Sequence, residues 1–508
     1  MAKQLFAKKP VSLLLEQMEG EHRLRRVLGP LQLTSLGVGA IIGAGIFIVT
    51  GLVAKDKAGP AIMLSFVIAG FACAFAALCY AEFASMVPVA GSAYTYAYAT
   101  LGEFFAWIIG WDLILEYGVG AASVAHGWSH YCTDFLGIFG VKLPPSLINA
   151  PFDFNPATGQ FVSTGALIDL PAFLIAAAVT VVLVLGIRQS AAFNAAMVAV
   201  KLTVVLLIIA VGAAYIDPKN WQPFAPYGYS GISFFGHTFL GQAGPGGEPL
   251  GVMAGAAIIF FAYIGFDSVS THAEEARNPS RDVPIGIIAS LGLCTVLYIA
   301  VAAVLTGMVP SDKISIDAPL SHAFKLVGLP WVHFIISLGA VTGITSVLMV
   351  LLLSQPRIML AMARDGLLPV KFFGAVHDRF RTPWKSTILT GTVVGLMGAL
   401  MPLRVLAELV NIGTLLAFIF VCAAVLIMRR IHPDAVRPFR CPLVPLVPIL
   451  GIGFCLLLMF SLPWENWLRL IIWLLLGFAI YFAYGRRHSL LARNQVEKPA
   501  LESVQLES

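Results

Sequence analysis

Residues Leu36–Gly51 read LGVGAIIGAGIFIVTG, an apolar run that carries glycines at 37, 39, 43, 45 and 51. A helix that only crossed a bilayer would not contain them, since each interior glycine costs roughly 0.5–1 kcal/mol against alanine. The run therefore predicts a helix broken near Gly43-Ala44-Gly45, with backbone N–H and C=O groups released in mid-membrane. A close helix–helix contact through Gly39-xxx-Gly43 is the plainer reading of part of the pattern, but it leaves Gly45 unexplained. A dinucleotide fingerprint fails, because GVGAIIG has the wrong spacing and no preceding strand.

The chain around this run is 508 residues long, 58% hydrophobic and only 12% charged, with a mean hydropathy of +0.86. So many apolar windows of about 20 residues indicate a polytopic all-α membrane protein. Twelve spans are expected, near 31–54, 61–87, 95–125, 166–187, 192–215, 250–275, 285–309, 331–357, 385–402, 405–428, 445–463 and 466–485. Most of the 32 Lys and Arg fall on the side of the N-terminus, chiefly in the first 26 residues and in 357–385. The loop-charge rule then puts both termini in the cytoplasm of a cell whose plasma (inner) membrane holds the protein. Residues 1–30 and 486–508 are expected to be cytoplasmic tails, the first too polar to be a cleaved signal. The basic residues are scattered over several loops, so nucleic-acid binding is not expected. The seven cysteines show no disulfide framework; five lie in spans and Cys132 is assigned to an external loop.

Several polar residues sit at membrane depth. Glu82 lies near the end of the second span, where a structural partner is expected. Asp112 and Glu116 are four apart and share one face of the third span, which is expected to begin in the GSAYTYAY run. Carboxyls at that depth must be partnered, protonated or turned to an aqueous cavity, and Glu116 is the candidate proton carrier. Lys201 stands about ten residues from either end of the fifth span, too deep to snorkel, and needs carbonyls, a carboxylate or water. Gly265 interrupts the sixth span in FFAYIGFDSVST, with Asp267 just beyond. His126 and His130, four apart in HGWSH, have zinc-like spacing but no glutamate between them and no evident third ligand, so packing or surface histidines are expected. Pro356 is expected to bend or stop the eighth span.

Two glycine interruptions at corresponding places in two five-span halves point to an inverted-repeat transporter. Each break frees N–H groups at the positive end of a half-helix, suited to a carboxylate, and carbonyls suited to an ammonium group. Facing each other, they would hold the shared part of an α-amino acid. Gly43, Ala44 and Gly45 are the candidates for its carboxylate, and carbonyls near Ile41, Phe261, Ala262 and Ile264 for its amine. A channel would need a continuous polar path, an ATP-driven pump a phosphate loop, and a membrane enzyme a nucleophile–base pair. None of these patterns occurs.

GAIIGAGIF, FFAYIGFDSVSTHAEEARNPSRDVP and QPRIMLAMARDGLLP together resemble the amino acid–polyamine–organocation superfamily, and within it bacterial relatives of the cationic amino acid transporters. The resemblance covers roughly residues 24–440. It implies a LeuT-like fold, with 31–215 and 250–428 as five-helix inverted repeats and 445–485 as two added helices. It further implies that the Lys201 ammonium stands where sodium-coupled members hold sodium, that Glu116 is a proton site and that Phe261 is an aromatic gate; Asp267 is the remaining coupling candidate. Ala44 and Gly120 leave room for a substrate side chain. The expected partners are an L-amino acid, protons and lipid, with no cofactor and no resident metal; a small membrane subunit or a second copy stays open. The reading is proton-coupled amino acid symport, with a cationic amino acid uniporter or exchanger as the alternative and a sensor on the same fold as the third.

Overall fold

In the computed structural model, residues 5–10, 28–87, 92–155, 160–185, 191–245, 247–380 and 382–491 are described. The residues expected to form most of the N-terminal tail, Pro88, and the polar C-terminal residues 492–508 lie outside them. The architecture is almost wholly helical: α1 (Pro30–Ile41), α2 (Ile62–Met86), α3 (Ser92–Thr100), α4 (Glu103–Ile138), α5 (Leu170–Val184), α6 (Ala191–Gly212) and α7 (Val252–Ile259) form the first part. They are followed by α8 (Pro279–Met308), α9 (Pro319–Leu326), α10 (Pro330–Arg364), α11 (Trp384–Leu400), α12 (Leu403–Ile431), α13 (Leu446–Ser461) and α14 (Trp464–Ile480). Strands are confined to connections, as in the antiparallel pair Phe152–Asn155 and Gln160–Ser163.

Eight helical stretches among the described residues are long and apolar enough to cross a membrane, and α1, α5 and α13 are shorter apolar helices. The stretch Gly45–Met86 counts as one of the eight but holds 42 residues. At 1.5 Å per residue this is about twice a hydrocarbon core, and the stretch is divided into two helical parts. They meet at Gly59, whose φ of +61° ends the first, and Pro60, which starts the next. Large apolar side chains stand exposed along α8 (Val296), α11 (Val393) and α14 (Ile472, Leu475). In lipid such faces are solvated by acyl chains and carry no cost.

The interior packs α4 against α10 and α12, α8 against α2 and α1, and α5 against α11. Two expectations are corrected here. The GSAYTYAY run does not begin the third span but forms α3, a separate buried helix; Gly102 (φ +105°) breaks the chain before α4 starts at Glu103. A Cβ at Gly102 would meet the backbone of Phe6 at 2.8 Å, so the break is fixed by the N-terminal segment lying across it. Cys132 is consequently inside α4 and not in a loop; all seven cysteines are free thiols. Of the two outcomes expected at Pro356, a bend or a stop, the stop does not occur: α10 runs through it to Arg364. A buried proline removes one ladder bond, and neighbouring helices hold the rest of the helix together.

Glu82 has the structural partners expected of it. Arg429 on α12 donates to both carboxylate oxygens (3.1 and 2.6 Å), and the Cys441 N–H donates to Oε2 at 2.7 Å. Arg437 Nε lies 3.4 Å from Oε1. The cluster ties α2 to the segment joining α12 and α13. Glu82→Ala strands two guanidinium groups, and we expect it to lower stability by about 3 kcal/mol, read as a fall in the thermal unfolding temperature of the purified protein in detergent.

Candidate functional site

The two glycine-marked interruptions are real breaks in the backbone, and they touch. α1 ends at Ile41, Ile42 is extended (φ −72°, ψ 97°), and helix resumes from Ala44 through the widened turns of Gly45–Val49. The N–H groups of that first new turn have no preceding helical carbonyls to bond. In the partner break, α7 tightens into a 3₁₀ turn at Phe260–Tyr263, Ile264 is extended (φ −60°, ψ 134°), and Gly265 takes φ +117°. A short helix then restarts at Ser268–Thr271.

Glycine is required where the breaks cross. A Cβ on Gly45 would lie 2.3 Å from the Ala262 Cα, and one on Gly265 would lie 2.9 Å from the Ala40 carbonyl oxygen. Gly43 packs against Val347 of α10, with 2.8 Å to a would-be Cβ. Gly120 on α4 is different, because the nearest atoms to an added Cβ are Leu351 and Val410 at 3.7 and 4.0 Å. The breaks thus meet backbone to backbone, whereas Gly120 has room beside it, against apolar side chains. Ile41, Gly43, Ala44, Gly45, Gly120, Phe261, Ala262 and Ile264 are all buried. A cavity of about 580 Å³ opens beyond them, lined by Leu52, Asp56, His126, Asp317 and Arg404 among others, and none of the eight lines it.

Lys201 is fully buried on α6, and its Nζ donates to the Gly39 carbonyl at 2.6 Å. In an unbroken α1 that carbonyl would accept from the N–H of Gly43, so the ammonium group takes an acceptor that the break releases. Its stem lies along Gly343 of α10. Lys201 thereby joins three elements at the first break.

The acids are gathered on the other side. Asp267 follows the second break, and its Oδ2 accepts from the Tyr117 hydroxyl at 2.6 Å. Its Oδ1, both oxygens of Glu116 and both of Asp112 are buried without a hydrogen-bond partner among the described residues. Asp112 lies against Gly413 of α12. A buried charge with no donor is costly, so these carboxyls stand where protons or a ligand would be their partners.

Three residues at the breaks escape sequence reasoning. The Tyr298 hydroxyl on α8 donates to the Ile41 carbonyl at 2.8 Å, engaging one lone pair of the acceptor expected to meet an amine. Asn411 on α12 donates to the carbonyls of Ala257 and Ile258 (2.8 and 3.2 Å), just before the second break. Tyr117 is the partner of Asp267. Only Asn411 left a sequence signal, as an amide inside an apolar span. His126 and His130, which show no evident third ligand in the sequence, have Asp169, some forty residues on, brought beside them.

The sequence is similar to known proteins over nearly its whole length. A family profile described as amino acid permease matches residues 28–481. The branched-chain amino acid permease BcaP of Bacillus subtilis is 48% identical over 488 residues, covering 96% of this chain and 99% of that protein. The methylthioribose transporter of the same organism is 45% identical over 487 residues, with the same coverage. The vacuolar cationic amino acid transporter 4 of Arabidopsis thaliana is 39% identical over 419 residues, or 82% of this chain and 66% of that protein.

The crossing predicts unequal responses at three glycines. Gly45→Ala and Gly265→Ala each force backbone apart or strain it, and should cost about 1–3 kcal/mol. Gly120→Ala has space for its methyl and should stay within ~0.5 kcal/mol of the parent. Thermal unfolding of the three purified variants, side by side, checks the ranking.

Proposed function

This chain belongs to the amino acid permease family, and from that premise we propose that it is a secondary active transporter carrying an L-amino acid together with a proton by alternating access. It is a multi-pass membrane permease, and its relatives are named as transporters and permeases, not as enzymes. The observation that carries the finer reading is the crossing of two helix breaks, Gly45 on Ala262 and Gly265 on Ala40, beside a buried ammonium group on a released carbonyl.

In this reading the chain makes twelve crossings with both termini cytoplasmic, and 31–215 and 250–428 are inverted repeats. Packing between spans five places apart supports it: the stretch after the first break lies on the second, α2 on α8, α4 on α10 and α5 on α11. The substrate carboxylate takes the N–H groups of Gly43, Ala44 and Gly45, at the positive end of the resumed helix. The ammonium takes carbonyls of Phe261, Ala262 and Ile264 and the remaining lone pair of Ile41. The side chain extends past Gly120 toward Leu351 and Val410, and Phe261 closes over it.

Apolar walls at Gly120 favour a neutral aliphatic amino acid, the substrate class named for the 48%-identical relative. The unpartnered oxygens of Glu116 and Asp267 favour a second reading, in which a cationic side chain finds an acid there. A relative named for methylthioribose at 45% identity suggests that the same scaffold accepts another cargo, so side-chain preference rests on the few residues lining that space.

Lys201 takes the place of a coupling cation in this mechanism. Being covalently attached, it leaves the driving force to protons, for which Glu116 is the carrier and Asp267 its neighbour. Hydrogen-bonding the first break, it reports the state of α1 to α6 and α10. Entry from one side and release to the other would then be a relative movement of the crossed breaks against α4 and α10.

Proteoliposomes test this directly. An inward proton gradient should drive leucine accumulation without sodium, and sodium-dependent uptake indifferent to pH would contradict the assignment. Glu116→Gln should lose pH-driven accumulation while leucine–leucine exchange continues. Lys201→Ala should lower proton-driven uptake about 5- to 150-fold, the range of a typical coupling energy, with a smaller loss of substrate binding. Binding without any accumulation in the parent protein would favour a sensor.

A further inference from the structure

The vestibule beyond the breaks contains a cluster that the transport reading does not use. His126 and His130 stand one turn apart on α4, and their Nε2 atoms are 3.1 Å from each other. The Nδ1 of His126 lies 3.0 Å from the Gly398 carbonyl oxygen and 3.3 Å from Asp169 Oδ2. The Nδ1 of His130 lies 3.3 Å from Asp317 Oδ1. The Gly398 carbonyl only accepts, so the Nδ1 of His126 carries that ring's proton and its Nε2 presents a lone pair. In the metal-free protein the Nε2 of His130 donates a proton to that lone pair. A metal ion held by both Nε2 atoms would take the place of that shared proton.

Asp169 supplies the remaining polar group. Its Oδ1 accepts from the Ser129 hydroxyl and from the Ala172 N–H, as the N-cap of α5. Its Oδ2 is buried with no hydrogen-bond partner among the described residues. One ligand atom from each of His126, His130 and Asp169 lies within 4.8 Å of the others. Nitrogen–metal bonds of 2.0–2.1 Å in tetrahedral geometry put two ligand nitrogens roughly 3.3 Å apart, close to the spacing here. The Nδ1 partners, a backbone carbonyl and a carboxylate, are the groups that orient metal-bound imidazoles.

We infer that His126, His130 and Asp169 form a binding site for a divalent transition-metal ion of the zinc type, placed in the wall of the vestibule. The imidazole nitrogens and the free Asp169 oxygen provide three ligands. The fourth position faces the cavity of about 580 Å³, which both histidines line and which provides the entry route and a water ligand. Asp56, Asp153 and Asp317 also line that cavity and favour a cation, while Arg404, which lines it too, is engaged 3.4 Å from Glu408. A bound ion links α4 to the start of α5 and, through His130 and Asp317, to the segment before α9. Its expected effect is to hold the vestibule in one arrangement.

Metal binding can be measured without transport, so its failure would leave the permease reading untouched. The full-length protein in detergent is titrated with Co²⁺ and then with Zn²⁺, following visible absorption, bound metal per chain and unfolding temperature. The expected result is one saturable tetrahedral Co²⁺ per chain, displaced by Zn²⁺, with a raised unfolding temperature. His130→Gln and Asp169→Asn should weaken affinity at least tenfold, and Asp317→Asn by about 10- to 100-fold through loss of ring orientation. His130 is partly exposed and Asn keeps the N-cap, so both variants should remain folded, which metal-free unfolding curves verify. Absence of saturable Co²⁺ absorption in the parent overturns the inference, as does unchanged affinity in His130→Gln. So does a stability that follows pH but not metal, the sign that the pair merely shares a proton.

Discussion

A helix that stops inside a bilayer must find new partners for its backbone, and this requirement shapes the centre of the molecule. α1 gives up its ladder at Ile42, and α7 tightens at Phe260 and opens at Gly265. In hydrocarbon each unsatisfied group costs several kcal/mol. The released carbonyls are therefore met by side chains from other helices: Lys201 on Gly39, Tyr298 on Ile41, and Asn411 on Ala257 and Ile258. Among the described residues no side chain accepts from the N–H groups of Gly43, Ala44 or Gly45, the end to which the proposed reading assigns the substrate carboxylate.

The crossing also explains why the glycines are where they are. Gly45 and Gly265 let two backbones approach closer than any Cβ permits, so their conformational cost is offset by a contact that no other residue could make. Gly120 is not of this kind, since space remains beside it. One class of glycine builds the crossing and the other leaves space beside its own helix. The acids stand apart from both, on α4 and just past the second break, where a proton could bind without occupying the backbone groups.

Much of this was legible in the chain, because the strongest signals were violations of a simple rule. An apolar span should contain no glycine cluster and no lysine, so 36–51, Gly265 and Lys201 stood out, and the amino acid permease resemblance they supported is borne out by the family comparison. The chain was less legible where a residue's meaning depends on something distant. Gly102 breaks the chain because Phe6 lies over it, and nothing in GSAYTYAY marks that boundary. Pro356 passes through α10 because its neighbours sustain the helix. Asp169 comes beside the histidine pair from across a forty-residue connection. Tyr117 and Tyr298 looked like ordinary core aromatics, since a hydroxyl's partner is invisible until the helices are packed.

A site made of backbone groups reads the part of a substrate that all amino acids share, so the central claim is about that part. Competition against radiolabelled leucine uptake in proteoliposomes addresses it most directly. Valine and isoleucine should compete as leucine does, whereas N-acetyl-leucine and leucinol, which lack the free ammonium or carboxylate, should fail at concentrations where valine is effective. If the two blocked analogues compete as well as valine, the substrate is not held by the crossed breaks of α1 and α7.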